Sequence, residues 1–167
     1  MPPFRPRAEE AATTTSDAEA ALARILRGHP LSERDAKGRL ERLGYPRDEV
    51  EAALAVARDE RWLDDALLAR LWVEDRLLHH PLSRRALEAE LRSRGVPADI
   101  ASRALVDLYP PEREPEVALE LARARLARPA PDDARRERRT IDYLLRRGFS
   151  SRLAVDAVRR AQEAEGG

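Results

Sequence analysis

Apolar residues recur along most of this chain at intervals of three or four positions, which is the spacing of the buried face of an α-helix. The first clear example lies within residues 17–27, where Ala18, Ala21, Leu22 and Ile25 fall on one helical face. No segment shows the strict alternation of apolar and polar residues that is typical of a β-strand. The pattern therefore predicts an all-α protein. We expect about nine helices, which begin near residues 17, 32, 46, 64, 83, 97, 116, 132 and 150.

A short phrase occurs twice and groups these helices into repeats. The residues His29-Pro30-Leu31-Ser32 return as His80-Pro81-Leu82-Ser83. The agreement continues after each copy, with Arg34, Leu40, Gly44, Pro46 and Asp48 matched by Arg85, Leu91, Gly95, Pro97 and Asp99. A weaker third copy keeps Leu144, Gly148, Phe149, Ser150, Ala157 and Val158. A period of about 50 residues indicates a tandem array, so we predict three repeats of three helices each, with no sheet.

Capping residues predict where the helices begin and end. Ser32 precedes the second helix, where its hydroxyl can accept a hydrogen bond from a free backbone N–H. Gly44, Gly95 and Gly148 follow the middle helix of each repeat. We predict that they stop these helices, because glycine adopts a positive φ without steric cost.

Proline and the loss of periodicity predict the boundaries of the repeats. We expect a flexible N-terminal segment at residues 1–16, because this stretch has no apolar period. Three prolines between Tyr109 and Pro115 predict a linker, since proline cannot continue a helix. The predicted division is a lead at 1–16, repeats at 17–61, 62–109 and 116–164, a linker at 110–115 and a tail at 165–167.

Composition narrows the class of protein. The chain has 167 residues, 31 basic and 31 acidic side chains, and no cysteine. The absence of cysteine excludes disulfides and thiolate metal sites, and we find neither a signal peptide nor a membrane-spanning run. We therefore expect a cytoplasmic protein, and, separately, we expect it to be a monomer. A balanced charge argues against indiscriminate coating of nucleic acid, which normally needs a basic excess.

The charge balance fails locally in the third repeat. Arg135, Arg139 and Arg146 lie within about 40° of one another on a helix of 3.6 residues per turn. Arg136 and Arg147 add charge to this helix, whereas Asp142 lies on the same face. Two readings stay open: a recognition surface, or a solvated face held by weak pairs along the helix. A second, weaker basic set includes Arg84 and Arg85, and we expect it to lie on the surface.

Two motifs resemble those of RecX proteins, which regulate the bacterial recombinase RecA. Trp62-Leu63-Asp64-Asp65, followed by Ala69, Trp72, Val73 and Arg76, is similar to the start of the family's second repeat. The run Arg146-Arg147-Gly148-Phe149-Ser150 resembles its third-repeat motif. The similar layout covers residues 18–164, nearly the whole chain.

The resemblance implies an elongated, curved modulator that docks in the groove of the RecA filament on single-stranded DNA. It would mainly inhibit RecA, restraining ATP hydrolysis, strand exchange and co-protease activity, and so act in DNA repair, homologous recombination and the SOS response. One departure concerns the loop after the first helix of the second repeat. Relatives often carry a loop rich in glycine and lysine there, whereas this chain has Leu78-His79-His80-Pro81.

The motif residues also have purely structural readings. Trp62 and Trp72 are candidates for partner contact, but we expect such rings more often to fill the seam between repeats. Asp64 and Asp65 could bind a cation or an arginine of a partner, but aspartate before an apolar helix is ordinarily an N-cap. Arg76 extends from the same helix, and no function is required of it.

Catalysis finds little support in the sequence. His29, His79 and His80 are the only imidazoles, and none has the spacing of a zinc enzyme. There is no phosphate-binding glycine loop and no nucleophile elbow. We therefore predict a non-enzymatic protein without metal or cofactor. The alternative to a RecA regulator is a nucleic-acid-binding helical protein that acts through the arginines of the third repeat, with weak direct DNA contact compatible with both. A generic helical scaffold for another partner is a third reading.

Overall fold

The computed structural model describes residues 8–129 and 132–164, with side chains described from residue 17 onward within these ranges. This part of the chain contains nine α-helices, one short 3-10 helix and no β-strand. The helices are α1 Ala8–Gly28, α2 Glu33–Arg42, α3 Arg47–Asp59, α4 Asp65–His79, α5 Arg84–Ser93, α6 Ala98–Leu108, α7 Glu114–Leu126, α8 Asp133–Arg146 and α9 Ser151–Glu163. The all-α fold and the order of its nine helices are thereby confirmed.

The chain divides into two compact units that do not coincide with the sequence repeats. The first unit extends to Ala69 and also includes Arg92–Ile100. The second consists of Arg70–Leu91 and the chain from Ala101 onward. Helices α1 to α3 pack on one another in the first unit, and α7 to α9 do so in the second. The middle helices α4, α5 and α6 contribute residues to both units.

Small and branched aliphatic side chains build the core of the first unit. Leu22 of α1, Leu40 of α2 and Leu54 of α3 are all completely buried. Burial of a leucine side chain stabilises a fold by about 1.5–3 kcal/mol. Alanines between them, such as Ala18, Ala36 and Ala53, let the helices approach closely. The low aromatic content therefore does not prevent a well-packed core.

The second unit has a core of the same kind with two aromatic additions. Leu126, Leu144 and Val158 are buried where α7, α8 and α9 meet. Phe149, which follows the α8 helix stop, is only 3% exposed. Tyr109 is completely buried at the end of α6.

Side-chain caps begin the helices much as the sequence predicts. Ser32 Oγ accepts a hydrogen bond from the Asp35 N–H at 3.2 Å, and Ser83 Oγ accepts one from the Ala86 N–H at 3.1 Å. Asp132 and Ser150 accept in the same way from the backbone three residues further on. Each cap satisfies one of the N–H groups that the first helical turn leaves without a partner.

Two boundaries differ from those that the pattern predicts. Helix α1 begins at Ala8 rather than near residue 17, because alanine and glutamate favour a helix even without an apolar period. Helix α7 begins at Glu114, inside the predicted linker. Pro115 is tolerated there because the first turn does not use its missing N–H. Residues 1–7 of the predicted lead and the tail at 165–167 lie outside the described residues.

Tyr109, the residue immediately before the predicted linker, is a core residue. Its ring is completely buried, and its hydroxyl has no hydrogen-bond partner among the described residues. Burial raises the pKa of Tyr109 far above the ordinary value of 10, because the phenolate form would lose its hydration. The ring therefore contributes packing, whereas the hydroxyl opposes folding.

We expect the Tyr109→Phe variant to be at least as stable as the wild type, because the change removes an unpaired buried hydroxyl whose burial costs about 1–3 kcal/mol. Urea unfolding followed by circular dichroism measures the free energy of unfolding. Tyr109→Ala serves as the contrast and should lose about 3–5 kcal/mol through the cavity it leaves. A clear loss of stability in Tyr109→Phe would contradict the prediction.

Candidate partner-binding site

The repeated phrase His-Pro-Leu-Ser builds a contact that we call the first joint, formed by Ser32, Arg34, Asp65, Arg94 and Gly95. Ser32 Oγ donates a hydrogen bond of 2.6 Å to the Arg94 carbonyl oxygen at the end of the middle helix of the next repeat. Arg34 Nη2 reaches the Arg92 carbonyl oxygen at 3.2 Å. Both sides of the joint belong to the first unit. The phrase therefore ties the start of α2 to the end of α5.

The second joint is the equivalent contact one repeat later, formed by Ser83, Arg84, Glu114, Arg147 and Gly148. The Ser83 N–H donates to the Arg147 carbonyl oxygen at 3.0 Å. Arg147 Nη1 donates to the Pro81 carbonyl oxygen at 2.8 Å. Both sides lie in the second unit. The start of α5 is thus tied to the end of α8.

Glycine is required where each joint closes. Gly95 and Gly148 have φ values of 87° and 86°. A Cβ atom on Gly148 would lie 2.6 Å from Ser83 Oγ, and one on Gly95 would collide with Ser32 Oγ. Gly44 has a φ of 89° but no atom within 4 Å of its Cβ position. Of these three glycines, Gly95 and Gly148 therefore combine a helix stop with a close approach, and Gly44 does not.

A carboxylate at the start of a later helix, α4 or α7, completes each joint. Asp65 Oδ1 accepts a 2.9 Å hydrogen bond from the Glu33 N–H in the first turn of α2. Glu114 Oε1 accepts a 2.8 Å hydrogen bond from the Arg84 N–H at the start of α5. Burial raises the pKa of Asp65 above its usual value of 3.8, while the Glu33 N–H opposes this rise. The carboxylate is therefore held at some electrostatic cost.

The two aspartates of the motif have different structural roles. Asp64 Oδ1 accepts a hydrogen bond from the Leu67 N–H at 2.9 Å, so Asp64 is the N-cap of its own helix α4. Asp65 serves the previous repeat instead. Leu63, which lies between Trp62 and Asp64 in the sequence, is 5% exposed.

The two tryptophans differ in burial. Trp62 is 45% exposed, so the expectation that it fills a seam is wrong for this ring. Its position in the turn after α3, where Arg61 has a positive φ of 57°, leaves it on the surface. Trp72 is half-buried, and its Nε1 donates to Glu90 Oε2 at 2.9 Å.

Arg76 joins Trp72 and Glu90 in one cluster between α4 and α5. Arg76 Nε donates to Glu90 Oε2 at 2.9 Å, and its guanidinium lies 4.1 Å from the centre of the Trp72 ring. A cation–π contact of this kind contributes about 0.5–1 kcal/mol at an exposed site and more when it is desolvated. The motif residues Trp72 and Arg76 therefore hold the second repeat together.

The predicted arginine face is present on α8. Arg135, Arg139 and Arg146 are all exposed, and none of them forms an ion pair with another described residue. Asp142 lies exposed on the same face, within one turn of Arg139 and Arg146. Arg136 is half-buried and paired with Asp133. We call Arg135, Arg139 and Arg146 the α8 ridge.

The other predicted arginines separate into two groups. Arg84 donates to the carbonyl oxygens of Leu105 and Tyr109, and Arg147 donates to Pro81, so both stabilise joints. These contacts disfavour a docking role for Arg84 and Arg147. Arg85 is exposed, and partner contact there stays a prediction.

One basic feature escapes the sequence pattern. Arg125 and Arg128 at the end of α7 line a cleft of about 140 Å³ together with Pro129, Arg136, Arg139 and Thr140. The break after α7 separates the two pairs of arginines in the chain. Their shared surface is visible only once α7 packs against α8. The signal in the sequence was the density of arginine on both sides of this break.

The described residues offer no metal site and no membrane-spanning helix. No group of three metal-binding side chains converges there. His79 lies 3.9 Å from Asp75 and both are exposed. None of the described helices has both the length and the apolar character needed to cross a membrane.

Family models match two parts of the chain. Residues 64–105 match the model described as RecX, second three-helix domain, and residues 112–158 match RecX, third three-helix domain. Together these matches cover more than half of the sequence.

Relatives of known name point to the same family, and a solved structure shares the fold. A Regulatory protein RecX of Thermobifida fusca is 40% identical over 151 residues, which cover 89% of this chain and 80% of the relative. The protein of that name from Mycobacterium avium is 37% identical over 150 residues, covering 89% and 86%. The crystal structure of RecX from Lactobacillus salivarius superposes with a TM-score of 0.76 at 20% identity, covering 90% of this chain and 98% of the other. At that identity the structural likeness shows the fold alone.

We expect Asp65→Asn to raise the stability near neutral pH, because the amide oxygen keeps the Glu33 contact without a desolvated charge. The folded pKa of Asp65 lies above its unfolded value, so its ionisation lowers the free energy of unfolding as pH rises above about 3.8. Asp65→Asn should remove this part of the pH dependence. Asp65→Ala should also remove this pH dependence, but it should be less stable than Asp65→Asn by about 1 kcal/mol at every pH, because a helix N–H loses its acceptor. Urea unfolding between pH 4 and 8 measures the free energy of unfolding of each variant. Equal free energies of unfolding in Asp65→Asn and Asp65→Ala would contradict the prediction.

We expect Gly95→Ala to destabilise the protein more than Gly44→Ala, although both glycines have nearly the same φ. A left-handed alanine costs about 1–2 kcal/mol at either site. At Gly95 the added methyl also meets the Ser32 hydroxyl, which adds about 1–3 kcal/mol of overpacking. The difference between the two unfolding free energies therefore measures the joint itself. Equal losses would show that the close approach has no energetic weight.

Proposed function

This chain belongs to the RecX family, and we propose from this membership that it regulates RecA by docking on the RecA filament assembled on single-stranded DNA. The relatives are named regulatory proteins, and their names support a regulatory role for this chain. The proposed action is mainly inhibition, in which docking in the filament groove restrains ATP hydrolysis, strand exchange and co-protease activity. The protein would thereby act in DNA repair, homologous recombination and the SOS response in the cytoplasm.

The α8 ridge is the single observation that carries the docking proposal. Three exposed guanidinium groups on one face form no ion pair with other described residues. Arginine makes forked contacts with carboxylates, which are enriched on acidic protein surfaces. Complementary charge increases the rate of association and fixes the register of docking.

The repeats supply the second physical reason for filament binding. A tandem array presents similar surfaces at regular intervals, and a filament presents successive copies of one protein. Several weak contacts then add through effective concentration, without any one of them being strong. The elongated, curved shape and the monomeric state stay predictions.

We expect the double variant Arg135→Glu/Arg146→Glu to inhibit RecA poorly. The measurement is ATP hydrolysis by RecA on single-stranded DNA, titrated with wild-type protein and variant at moderate salt. Wild type should slow hydrolysis at ratios below one per RecA protomer. The double variant should need at least about tenfold more protein for the same effect, which corresponds to about 1.4 kcal/mol of binding free energy.

A matched control separates the ridge from overall charge. Arg103→Glu/Arg123→Glu makes the same change in net charge at two exposed positions of the second unit. It should keep wild-type inhibition, and the circular dichroism of both variants should stay helical. Equal loss in both variants would show that total charge matters rather than the ridge. Unchanged inhibition by the ridge variant would show that the ridge is a solvated face that does not contact RecA.

A further inference from the structure

The two joints differ in the side chain that lies beside the glycine turn. At the first joint, Arg34 Nη2 donates to the carbonyl oxygens of Arg92 and Ser93 at 3.2 and 3.4 Å. The guanidinium also lies close to the turn, since a Cβ atom on Gly95 would be 3.0 Å from Arg34 Nε. A cation is favoured there because the carboxyl end of a helix carries partial negative charge. Arg34 therefore covers the end of α5.

The corresponding place at the second joint is an open groove. Arg85 is the equivalent of Arg34 in the sequence repeat, but its side chain is exposed and bonds to no carbonyl oxygen within the described residues. The atoms nearest to a Cβ on Gly148 belong to Ser83 and Ala86. The groove has a volume of about 830 Å³ and is bounded by α5, the start of α7 and the turn between α8 and α9. All of these segments lie in the second unit.

One difference between the repeats explains why the groove stays open. At the first joint, Asp35 Oδ1 lies 3.9 Å from Arg34 Nε and favours the position of the arginine beside the turn. The repeat places Ala86 at the equivalent position, and the alanine side chain has no acceptor. Arg85 therefore lacks the carboxylate that would draw it over the end of α8.

The end of α8 keeps the acceptor that Arg34 uses at the end of α5. The Arg92 carbonyl oxygen accepts both the Gly95 N–H, at 3.0 Å, and the Arg34 side chain. Its equivalent, the Leu145 carbonyl oxygen, accepts the Gly148 N–H at 2.9 Å and no side chain within the described part of the chain. A carbonyl oxygen has two lone pairs, so Leu145 can accept one more hydrogen bond.

Two half-buried carboxylates, Glu88 and Glu114, line the same groove. Glu114 Oε1 accepts from the Arg84 N–H, which leaves its second oxygen for another donor. Glu88 forms no ion pair with another described residue. In the first repeat the position of Glu88 is Lys37, which is paired with Glu51, so the sign of the charge on this wall is reversed. A half-buried carboxylate is stabilised by a nearby cation.

The arginines of the groove do not neutralise these carboxylates. Arg84 donates to the carbonyl oxygens of Leu105 and Tyr109 and is thereby occupied. Arg85 is exposed and forms no ion pair within the described residues. An exposed arginine is well hydrated and gains little from one surface ion pair. The half-buried acceptors, rather than Arg85, therefore decide which ligand the groove favours.

Apolar surface in the groove suits the stem of an arginine side chain. Leu145 is 39% exposed, and Phe149 and Leu153 also line the groove. Arginine packs its methylene stem on apolar surface while its charged head stays among polar groups. The planar guanidinium can donate to a carbonyl oxygen and a carboxylate at once, whereas lysine presents a compact point charge.

We propose that this groove binds an arginine side chain from the surface of a partner protein, in the position that Arg34 has at the first joint. The guanidinium donates to the Leu145 carbonyl oxygen and to Glu88, and its stem packs on the apolar side chains. The α8 ridge offers arginines to an acidic surface, whereas the groove accepts one. The site goes beyond the proposed docking on RecA, and its test uses no RecA, so the two proposals fail separately.

The test follows the amide NMR signals of the isotope-labelled full chain while N-acetyl-arginine methylamide is added. The signals of Ser83 and Gly148 should shift and saturate, because both residues lie where the groove meets the glycine turn. Glu88→Gln should weaken binding several-fold, since it removes the charge of one wall. Glu120→Gln changes an exposed carboxylate of α7 outside the groove and is the matched control, which should bind as the wild type does.

A second pair of variants tests whether Arg85 can close the groove. Ala86→Asp supplies the carboxylate that Asp35 supplies at the first joint, so Arg85 should move over the end of α8 and binding of the probe should be lost. Ala86→Asp/Arg85→Ala keeps the new carboxylate without the side chain that closes the groove, so binding should return. Circular dichroism should show that all variants keep the helical signal.

Several outcomes would overturn the proposal. One is the absence of a saturable shift of Ser83 and Gly148 in the wild type, and another is an equal loss of binding in Glu88→Gln and Glu120→Gln. Undiminished binding by Ala86→Asp, or loss in both Ala86→Asp and the double variant, would show that the two joints are not equivalent. Tighter binding of N-acetyl-glutamate methylamide would show that the groove takes an acidic group on Arg85 instead.

Discussion

The close approach of a serine-containing loop to a glycine turn is the constraint on which this array depends. At the first joint, Ser32 uses one hydroxyl both to cap α2 and to donate to the Arg94 carbonyl oxygen. The turn can come this near only because Gly95 has no side chain. Ser83 and Gly148 make the same close approach one repeat later, where the Ser83 hydroxyl caps α5 and the Ser83 N–H donates to the Arg147 carbonyl oxygen. The recurring phrase therefore marks a contact between repeats. The serine on one side of that contact and the glycine on the other side both recur.

The repeat pattern predicted the helices well because local forces decide them. Apolar spacing, serine and aspartate caps and glycine stops act within a few residues, and the structure keeps α2 to α6 close to their predicted starts. The boundaries at Ala8 and Glu114 differ because helix propensity and the tolerance for Pro115 in a first turn outweighed the missing period. These are weak local terms that periodicity alone does not measure.

The candidate sites were harder to predict because their members come from different helices. Spacing correctly placed Arg135, Arg139 and Arg146 on one face of α8, since that face belongs to a single helix. It could not show that Arg147 turns back onto Pro81, or that Asp65 serves Glu33, since these contacts join residues more than thirty positions apart. The cleft with Arg125 and Arg128 was hidden for the same reason. An exposed arginine and an arginine that forms a joint cannot be distinguished in the sequence. They differ only in the residues that their guanidinium groups contact in the fold.

The two joints also separate the unit of sequence duplication from the unit of folding. Asp65, Arg94 and Gly95 belong to the second repeat, yet they complete the surroundings of α2 in the first unit. A gene cut at the borders of the repeats would leave the Glu33 amide and the Ser32 hydroxyl facing water in place of their partners. A repeat can thus be duplicated as one segment of sequence, although its stability depends on residues of the neighbouring repeat. Substitutions on one side of a joint are therefore constrained by the residues on the other side.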